Sequence, residues 1–226
     1  MEKELTILIP ALNEEKTIGI CIEKANKFLK EYNVNGEVLV ADNGSTDETI
    51  KIAENLGARV VNVKEKGYGN ALINGGKEAK GKYTIMGDAD DSYNFLEIMP
   101  ILEKLREDYD FVIGNRYKGK MEKDAMPFSH KYIGTPIISW IGRMKYKVEI
   151  GDFNCGLRGY DTKKINELNC KCEGMEYATE MIIRVKKANL KMIEIPINFY
   201  KDGRDKRPHL KTIEDGFRHF KVLLYN

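Results

Sequence analysis

The amino-acid sequence predicts an α/β fold with a mostly parallel central sheet covered by helices on both faces. Short aliphatic runs alternate with helical stretches along the first half of the chain, which is the pattern of repeated β-α units. Polar motifs rich in Asp, Asn and Gly follow directly after four of the predicted strands. Because ligands bind beyond the carboxyl ends of the strands in such sheets, these motifs are where function is to be sought.

Each element is predicted from the local spacing of apolar residues. The first unit is a strand at residues 5–10 and a helix in which Ile18, Ile22, Ala25 and Phe28 recur at helical spacing. The later strands are predicted at residues 37–40, 58–63, 83–86, 111–113 and 191–197. The later helices are predicted at residues 45–57, 71–80, 94–107 and 177–188, with a last helix after a basic loop.

Composition and charge predict a single domain over residues 1–226. The chain is 42% hydrophobic and 32% charged, and its net charge of +2 gives no reason to expect a nucleic-acid partner. Basic residues are concentrated locally, with eight Lys and Arg against two acids from Arg116 to Lys147 and seven against four from Lys201 to Lys221. We therefore expect anionic partners to be met by the second half of the chain.

The cysteines and the apolar runs bear on the compartment. The four cysteines do not form a zinc-binding pattern, so a reduced cytoplasmic protein is expected. The first residues lead straight into the first strand, and no signal peptide is expected. No apolar run approaches the roughly 20 residues that cross a bilayer, so membrane contact is expected to be peripheral.

Two carboxylates after the fourth predicted strand indicate a metal site. Asp88 and Asp90 are two residues apart in an extended segment, so both side chains point to the same side and can bind one hard cation. An isolated Asp-x-Asp is more often an acidic turn. Its place at a strand end, beside three other polar strand-end motifs, favours a metal that bridges a diphosphate.

Two further motifs have a structural and a functional interpretation. Asp42 and Asp47 flank a Gly-Ser turn in which Ser45, Thr46 or Asp47 caps the next helix, and Asp42 is the freer carboxylate, available to a base or ribose. The glycines between residues 67 and 76 superficially resemble a dinucleotide fingerprint. That motif belongs after the first strand of its unit, so close helix packing explains these glycines better.

Seven stretches, in a fixed order over nearly the whole chain, carry a resemblance to a known family. They are Pro10-Ala-Leu-Asn-Glu14, Asp42-Asn-Gly-Ser-Thr-Asp47, Lys66-Gly-Tyr-Gly-Asn-Ala71, Asp88-Ala-Asp90, Gly114-Asn-Arg-Tyr117, Asp152-Phe-Asn-Cys-Gly-Leu-Arg158 and Glu194-Ile-Pro-Ile197. With them the chain resembles family 2 glycosyltransferases of the GT-A (nucleotide-diphospho-sugar transferase) fold. Among these it most resembles the dolichyl- and polyprenyl-phosphate sugar synthases.

The resemblance implies an activity and a set of site residues. The implied enzyme is a metal-dependent hexosyltransferase that moves a sugar from a GDP- or UDP-sugar to a polyprenyl phosphate, with inversion, at the cytoplasmic membrane face. Residues 1–115 would form the nucleotide-sugar half and residues 116–226 the acceptor and membrane-facing half. Nucleotide contacts are implied for Pro10, Leu12, Glu14, Asp42, Lys66 and Asp88. Mg²⁺ or Mn²⁺ is implied at Asp88 and Asp90, with Asp90, Arg116 and Arg204 catalytic and Arg116, Lys131, Arg143 and Arg204 on the acceptor phosphate.

Two positions depart from the family pattern. Asn43 stands where a second acid is frequent, and Ser92 stands where a Gln is frequent two places beyond the second metal Asp. The identity of the donor sugar is therefore not taken from the mannose-transferring members.

The acceptor decides whether a general base is required. A phosphate oxygen is already anionic near neutral pH and attacks directly, whereas a sugar hydroxyl must lose its proton to a carboxylate. Glu176 and Glu180 are the candidates for that base, and an exposed and a capping glutamate on a helix is the alternative. The segment from 132 to 141, with Trp140 and flanking cations, fits a helix at a lipid interface or, alternatively, a core helix.

Three functions remain open from the sequence. The first is the polyprenyl-phosphate glycosyltransferase. The second is a family 2 glycosyltransferase that acts on a sugar or protein hydroxyl. The third is a non-catalytic module that binds a nucleotide-sugar.

Overall fold

The computed structural model describes residues 2–204 and 212–225. In this part of the chain the strands, β1 to β7 in order, are Lys3–Ala11, Gly36–Asp42, Arg59–Asn62, Gly81–Met86, Phe111–Asn115, Arg158–Asp161 and Met192–Pro196. The α-helices, α1 to α8 in order, are Ile18–Glu31, Thr49–Asn55, Tyr68–Glu78, Met99–Arg106, Thr135–Tyr146, Thr162–Glu167, Tyr177–Lys187 and Thr212–Tyr225. Each predicted strand overlaps an observed one.

The seven strands form one sheet in the order β3-β2-β1-β4-β6-β5-β7. Four neighbouring pairs are parallel, and the two pairs that involve β6 are antiparallel. The predicted α/β class with a mostly parallel sheet is confirmed. The sequence does not predict strand β6, because its residues Arg-Gly-Tyr-Asp form neither an aliphatic run nor a regular alternation of apolar and polar residues.

Two helical predictions are corrected by the structure. Helix α2 begins at Thr49 and not at residue 45 or 46, because the Asp47 carboxylate accepts the backbone N–H groups of Thr49 at 3.0 Å and Glu15 at 3.3 Å and so holds a turn. The stretch 94–107 is a 3₁₀ turn, Phe95–Glu97, followed by α4 with Pro100 in its first turn.

Glycines allow α3 to lie close to its neighbours. A Cβ atom on Gly75 would come within 2.6 Å of Leu8 Cδ1 and 2.9 Å of Ala41 Cβ, so a larger residue would push the helix off the sheet. The interpretation of this glycine-rich stretch as close helix packing is confirmed.

The register of the sheet brings the polar motifs to one edge. Ala11 at the end of β1 pairs with Asp42 at the end of β2, and Leu8 of β1 pairs with Met86 at the end of β4. The segments that follow these three strands therefore leave the sheet side by side. Among the helices of the described ranges, none is long and apolar enough to cross a membrane.

Candidate active site

The strand-end motifs line a single cavity of about 740 Å³. Five of the six residues implied as nucleotide contacts lie on its wall, and Asp90 lies there beside them. The lining residues from these motifs include Pro10, Leu12, Glu14, Asn43, Lys66, Asp88 and Asp90. Residues that are far apart in the sequence thus share one site because parallel strands end at one edge of the sheet.

Asp88 and Asp90 form a partly buried carboxylate pair in this cavity. The Tyr68 hydroxyl donates to Asp88 Oδ1 at 2.8 Å, and the backbone N–H and hydroxyl of Ser92 donate to Asp90 Oδ1 at 3.0 and 2.6 Å. Burial, and then the charge of Asp90, raise the pKa of Asp88 to about 6. Two carboxylates that oppose each other's ionisation favour a bound cation.

Arg204 supplies that cation in the structure. Its Nη2 donates to Asp90 Oδ2 at 2.6 Å, and its Nε lies 3.2 Å from Glu14 Oε2. The Gly203 N–H donates to the Asp90 carbonyl at 2.9 Å and fixes the start of the basic loop at the site. Burial raises the pKa of Glu14 to about 7, although Arg204 lowers it. Residues 205–208 of the predicted basic loop lie outside the described residues.

Asp42 has a different place from the one expected. It is 1% exposed, and its Oδ2 accepts the backbone N–H groups of Gly44 at 2.8 Å and Ser45 at 3.0 Å. In the described structure it is not part of the cavity wall. Both carboxylates of the motif accept backbone N–H groups, and Asp42 is the more buried of the two, so it is not the freer one. Its contact with a nucleotide stays a prediction.

Asn43, which departs from the family pattern, lines the cavity in place of Asp42. Its Oδ1 accepts the Gly67 N–H at 2.7 Å, and its Nδ2 donates to the Glu65 carbonyl at 2.7 Å. Lys66 Nζ donates to the Asn43 carbonyl at 2.7 Å. Asn43 therefore joins the two motifs and holds the Lys66 ammonium at the rim of the site.

Arg116 lines the cavity with its charge already paired. Its Nε and Nη2 donate to the two carboxylate oxygens of Asp152 at 2.7 and 2.8 Å. Glu194 Oε1 accepts the backbone N–H groups of Gly151 and Asp152 at 2.6 and 3.0 Å, which fixes the aspartate in turn. The pairing sets the position of Arg116 and reduces the net positive charge that it offers to a phosphate.

The two glutamates predicted as base candidates do not line the cavity in the described structure. Glu180 is 2% exposed, accepts the backbone N–H groups of Lys171 and Cys172, and pairs with Arg184 at 2.6 Å. Burial would raise the pKa of Glu180, but the hydrogen bonds from Cys172 and Arg184 hold it below the usual value. Glu180 therefore anchors the segment before α7, and Glu176 lies near Gly174 in that segment.

Apolar residues form another part of the cavity lining, here called the apolar wall. They include Met126 from the irregular stretch, Ile133 from the turn before α5, Ile138 of α5, Met175 from the segment before α7 and Phe199 from the segment after β7. Helix α8 contributes Gly216 and His219 to the lining. A cavity that combines an apolar wall with a floor of carboxylates and a guanidinium suits an amphiphilic ligand.

The remaining predicted cations lie away from the cavity wall. Lys131 and Arg143 are not among the lining residues of the described chain, and Arg143 is exposed on α5. Trp140 on the same helix is 59% exposed. The core alternative for the segment 132–141 is therefore wrong for Trp140.

Comparison with known proteins decides the family. The family profile described as "Glycosyl transferase family 2" matches residues 6–168, which is well over half of the chain. The chain belongs to glycosyl transferase family 2. The predicted family and enzyme class are confirmed.

Two relatives of this family 2 chain come from archaea. It is 34% identical over 223 residues to the low-salt glycan biosynthesis hexosyltransferase Agl6 of Haloferax volcanii, an alignment that covers 98% of this chain and 53% of that protein. It is 26% identical over 229 residues to the dolichol-phosphate mannosyltransferase of Pyrococcus furiosus, with 98% and 64% covered. The chain thus spans between about half and two thirds of these two relatives.

Solved structures support the fold. Glucosyl-3-phosphoglycerate synthase of Mycobacterium tuberculosis, in complex with Mn²⁺, UDP and glucosyl-3-phosphoglycerate, superposes with a TM-score of 0.74 at 18% identity, covering 98% of this chain and 79% of that one. The same enzyme with Mg²⁺ and UDP gives 0.75 at 20% identity, with 98% and 78% covered. The GT-A fold predicted for this family 2 member is confirmed.

A divalent ion fits the Asp88 and Asp90 pair on chemical grounds. Within residues 2–204 and 212–225 no group of three or more His, Cys, Asp or Glu side chains could hold a metal by itself. The pair supplies hard oxygen ligands, and Asp90 already forms an ion pair with the Arg204 guanidinium. The oxygens of a diphosphate, together with water, could supply the remaining ligands of an ion here.

Sequence reasoning missed several cavity residues. His219 is 4% exposed, its Nδ1 lies 2.7 Å from the Thr179 hydroxyl, and burial lowers its pKa to about 4, which keeps it neutral. Asn154 lines the cavity from the segment between α5 and β6. A single His or Asn carries no spacing signal, so only the resemblance of the surrounding motif could have drawn attention to Asn154.

Proposed function

We propose that this chain transfers a sugar from a nucleotide-diphospho-sugar to a polyprenyl phosphate, with inversion, at a membrane surface. The observation that carries the proposal is the cavity itself. Its floor holds the Asp88 and Asp90 pair with Arg204 on Asp90, and its lining includes residues of α5 and α8, two helices that also expose large apolar side chains at the protein surface.

The floor supports a nucleotide-diphospho-sugar as donor. Breaking the bond between sugar and phosphate builds negative charge on the departing diphosphate. Asp88 and Asp90 would hold a Mg²⁺ or Mn²⁺ ion, which supplies positive charge next to that leaving group. Arg204 and Lys66, both on the cavity wall, add two further cations. The UDP and Mn²⁺ complexes of the mycobacterial neighbour support the same donor class.

A phosphate acceptor is supported by the positions of Glu176 and Glu180, the two candidates for a general base. An anionic phosphate oxygen needs no general base, whereas a hydroxyl does. Glu180 accepts the Cys172 backbone N–H and forms an ion pair with Arg184, and neither Glu180 nor Glu176 lines the described cavity. The dolichol-phosphate mannosyltransferase among the relatives supports the same acceptor class.

Exposed apolar residues support contact with lipid. On and before α5, Tyr132, Ile137, Trp140 and Met144 are 59%, 50%, 59% and 68% exposed. On α8, Phe217 and Tyr225 are 73% and 80% exposed. The two helices contact each other, and Arg143, Lys145 and Lys147 are exposed at the end of α5. Apolar side chains with cations at their edge are typical of a surface that binds anionic lipid.

Extraction of the product tests the proposal. Purified protein is incubated with Mg²⁺ or Mn²⁺, a panel of labelled UDP- and GDP-sugars, and a short polyprenyl phosphate, with Asp90→Asn as the inactive control. We expect label from one donor in a solvent-extractable product that mild acid releases. Label retained in the aqueous phase would support a hydroxyl acceptor, and binding of donor without turnover would support a non-catalytic module.

A further inference from the structure

We propose that Asn154 recognises a hydroxyl group of the transferred sugar and so determines which donor is accepted. The inference rests on the proposed function, because it assigns the sugar position within the same cavity. The juxtaposition that carries it is an amide oxygen, Asn154 Oδ1, with no hydrogen-bond partner among residues 2–204 and 212–225, on a segment whose backbone is held by hydrogen bonds.

Asn154 is half-buried, and its amide oxygen has an unusual environment. Its Oδ1 is shielded from solvent and has no hydrogen-bond partner among the described residues, and the residue lines the cavity. Leaving a buried polar atom without a partner costs free energy, so native structures keep few of them. A ligand group that enters the cavity would supply the missing partner.

The backbone around Asn154 is held rigidly. The buried Arg158 guanidinium donates to the carbonyls of both neighbours, Phe153 and Cys155, at 2.8 Å each. The Phe153 N–H donates to the Ser139 hydroxyl at 3.1 Å. These bonds fix the backbone on both sides of Asn154 and so fix the point from which its side chain projects. Such support is what holds a recognition group in place before its ligand arrives.

The same segment lies against the predicted metal carboxylates. A Cβ atom on Gly156 would come within 2.5 Å of Asp88 Oδ2, so the backbone two residues after Asn154 touches that side chain. The Gly156 N–H donates to the Tyr93 hydroxyl at 2.8 Å, which secures the approach. A diphosphate held at Asp88 places its attached sugar next to this segment.

On its other side the segment meets the apolar wall. Phe153 packs against Gly142 of α5, and Arg158 also donates to the Ala178 carbonyl of α7 at 2.7 Å. Asn154 thus lies between the diphosphate floor and the wall assigned to the acceptor. The group that must occupy this place at the moment of transfer is the sugar.

The chemistry of an amide suits a sugar hydroxyl. A hydroxyl both donates and accepts, so it satisfies either end of the Asn154 amide, whichever way the group is turned. A phosphate oxygen only accepts, and the cations of the site serve it better. Discrimination follows because a donor that lacks the matching hydroxyl leaves the buried amide unsatisfied.

Binding and stability measurements on Asn154→Ala test the inference, with Asn62→Ala, an exposed Asn at the end of β3, as the matched control. We expect Asn154→Ala to weaken binding of the preferred nucleotide-sugar about tenfold and to change the affinity for the matching nucleoside diphosphate less than about twofold. The melting temperature should not fall, because Asn154 Oδ1 has no hydrogen bond to another described residue that the substitution would remove. Asn62→Ala should change none of these quantities.

Deoxy-sugar donors identify the hydroxyl. Wild type should discriminate about tenfold against one deoxy position, and Asn154→Ala should lose that discrimination alone. A lower melting temperature with parallel loss of diphosphate affinity would show that Asn154 is structural and overturn the inference. Unchanged discrimination in Asn154→Ala would also overturn it while leaving the proposed function intact. If wild type binds no nucleotide-sugar, the proposed function fails first.

Discussion

Replacing Arg204 with alanine should separate metal binding from catalysis. In the structure the guanidinium donates to Asp90 Oδ2 at 2.6 Å and lies 3.2 Å from Glu14 Oε2, so a metal ion that binds Asp90 must displace it. A hydrogen bond between two charged groups stabilises by about 1.5 to 3 kcal/mol. Removing that competitor should tighten Mn²⁺ binding to the free protein by about tenfold, which corresponds to the lower end of that range.

Turnover of Arg204→Ala should move in the opposite direction. Once displaced from Asp90, the guanidinium is free to donate paired hydrogen bonds to the diphosphate and to keep water from the sugar nucleotide. We expect turnover to fall at least about tenfold, or roughly 1.4 kcal/mol of transition-state stabilisation. Tighter metal binding with slower transfer is a combination that general damage to the fold does not produce.

Titration with Mn²⁺, followed by electron paramagnetic resonance without nucleotide, measures the first half, and sugar transfer at saturating metal measures the second. Arg204→Lys is the matched control, since it keeps the charge but loses the planar fork, and its metal affinity should stay within about threefold of wild type. Weaker or unchanged Mn²⁺ binding in Arg204→Ala, together with full turnover, would show that Arg204 neither competes with the metal ion for Asp90 nor contributes to sugar transfer.

Three further predictions concern other parts of the site. Asp90→Asn should abolish transfer and metal-dependent nucleotide binding while the circular dichroism spectrum stays that of wild type, because Asp90 serves the ion and not the core. Flotation with anionic liposomes should weaken as salt rises and should weaken in Trp140→Ala but not in Tyr32→Ala, a matched exposed aromatic at the end of α1. The fold raises the pKa of Glu14 from 4.5 to about 7, so the folded state favours the protonated carboxyl, and its ionisation destabilises the protein as pH rises through this range. Because Gln cannot ionise, Glu14→Gln should raise the melting temperature by at least about 3 °C at pH 8 and little at pH 5.

Each of these has an outcome that contradicts it. Normal turnover of Asp90→Asn with Mg²⁺ or Mn²⁺ would remove the metal assignment. Liposome binding that changes neither with salt nor in Trp140→Ala would show that α5 does not contact lipid. A Glu14→Gln effect that is equal at pH 5 and pH 8 would mean that Glu14 is not held against its ionisation.

The parallel part of the fold could be predicted because its signals are local. Aliphatic runs and helical spacing mark β1 to β5 and their helices, and polar residues after the strands mark the edge where the site forms. Strand β6 escaped because Arg158 lies in the core, where its guanidinium is satisfied by backbone carbonyls. A charged residue at such a position contradicts the pattern on which strand prediction depends.

The site could be predicted to the level of motifs but not of individual roles. Asp42 and Asn43 are adjacent, and only the three-dimensional turn decides that the first serves the backbone and the second lines the cavity. Glu180 has a carboxylate that could act as a general base, but it accepts the backbone N–H groups of Lys171 and Cys172. The sequence does not show that the chain brings these two residues to Glu180. Roles of this kind depend on which partner a side chain reaches.

The proposed acceptor is a polyprenyl phosphate, and a pair of lipids that differ only in the phosphate tests this proposal directly. Initial rates are measured with the preferred nucleotide-sugar and either a polyprenyl phosphate or the polyprenol of the same length without its phosphate. We expect a product that carries one added hexose on the lipid phosphate, with inverted anomeric configuration, and no transfer to the polyprenol. Equal transfer to the polyprenol, or transfer only to a water-soluble acceptor, would contradict it.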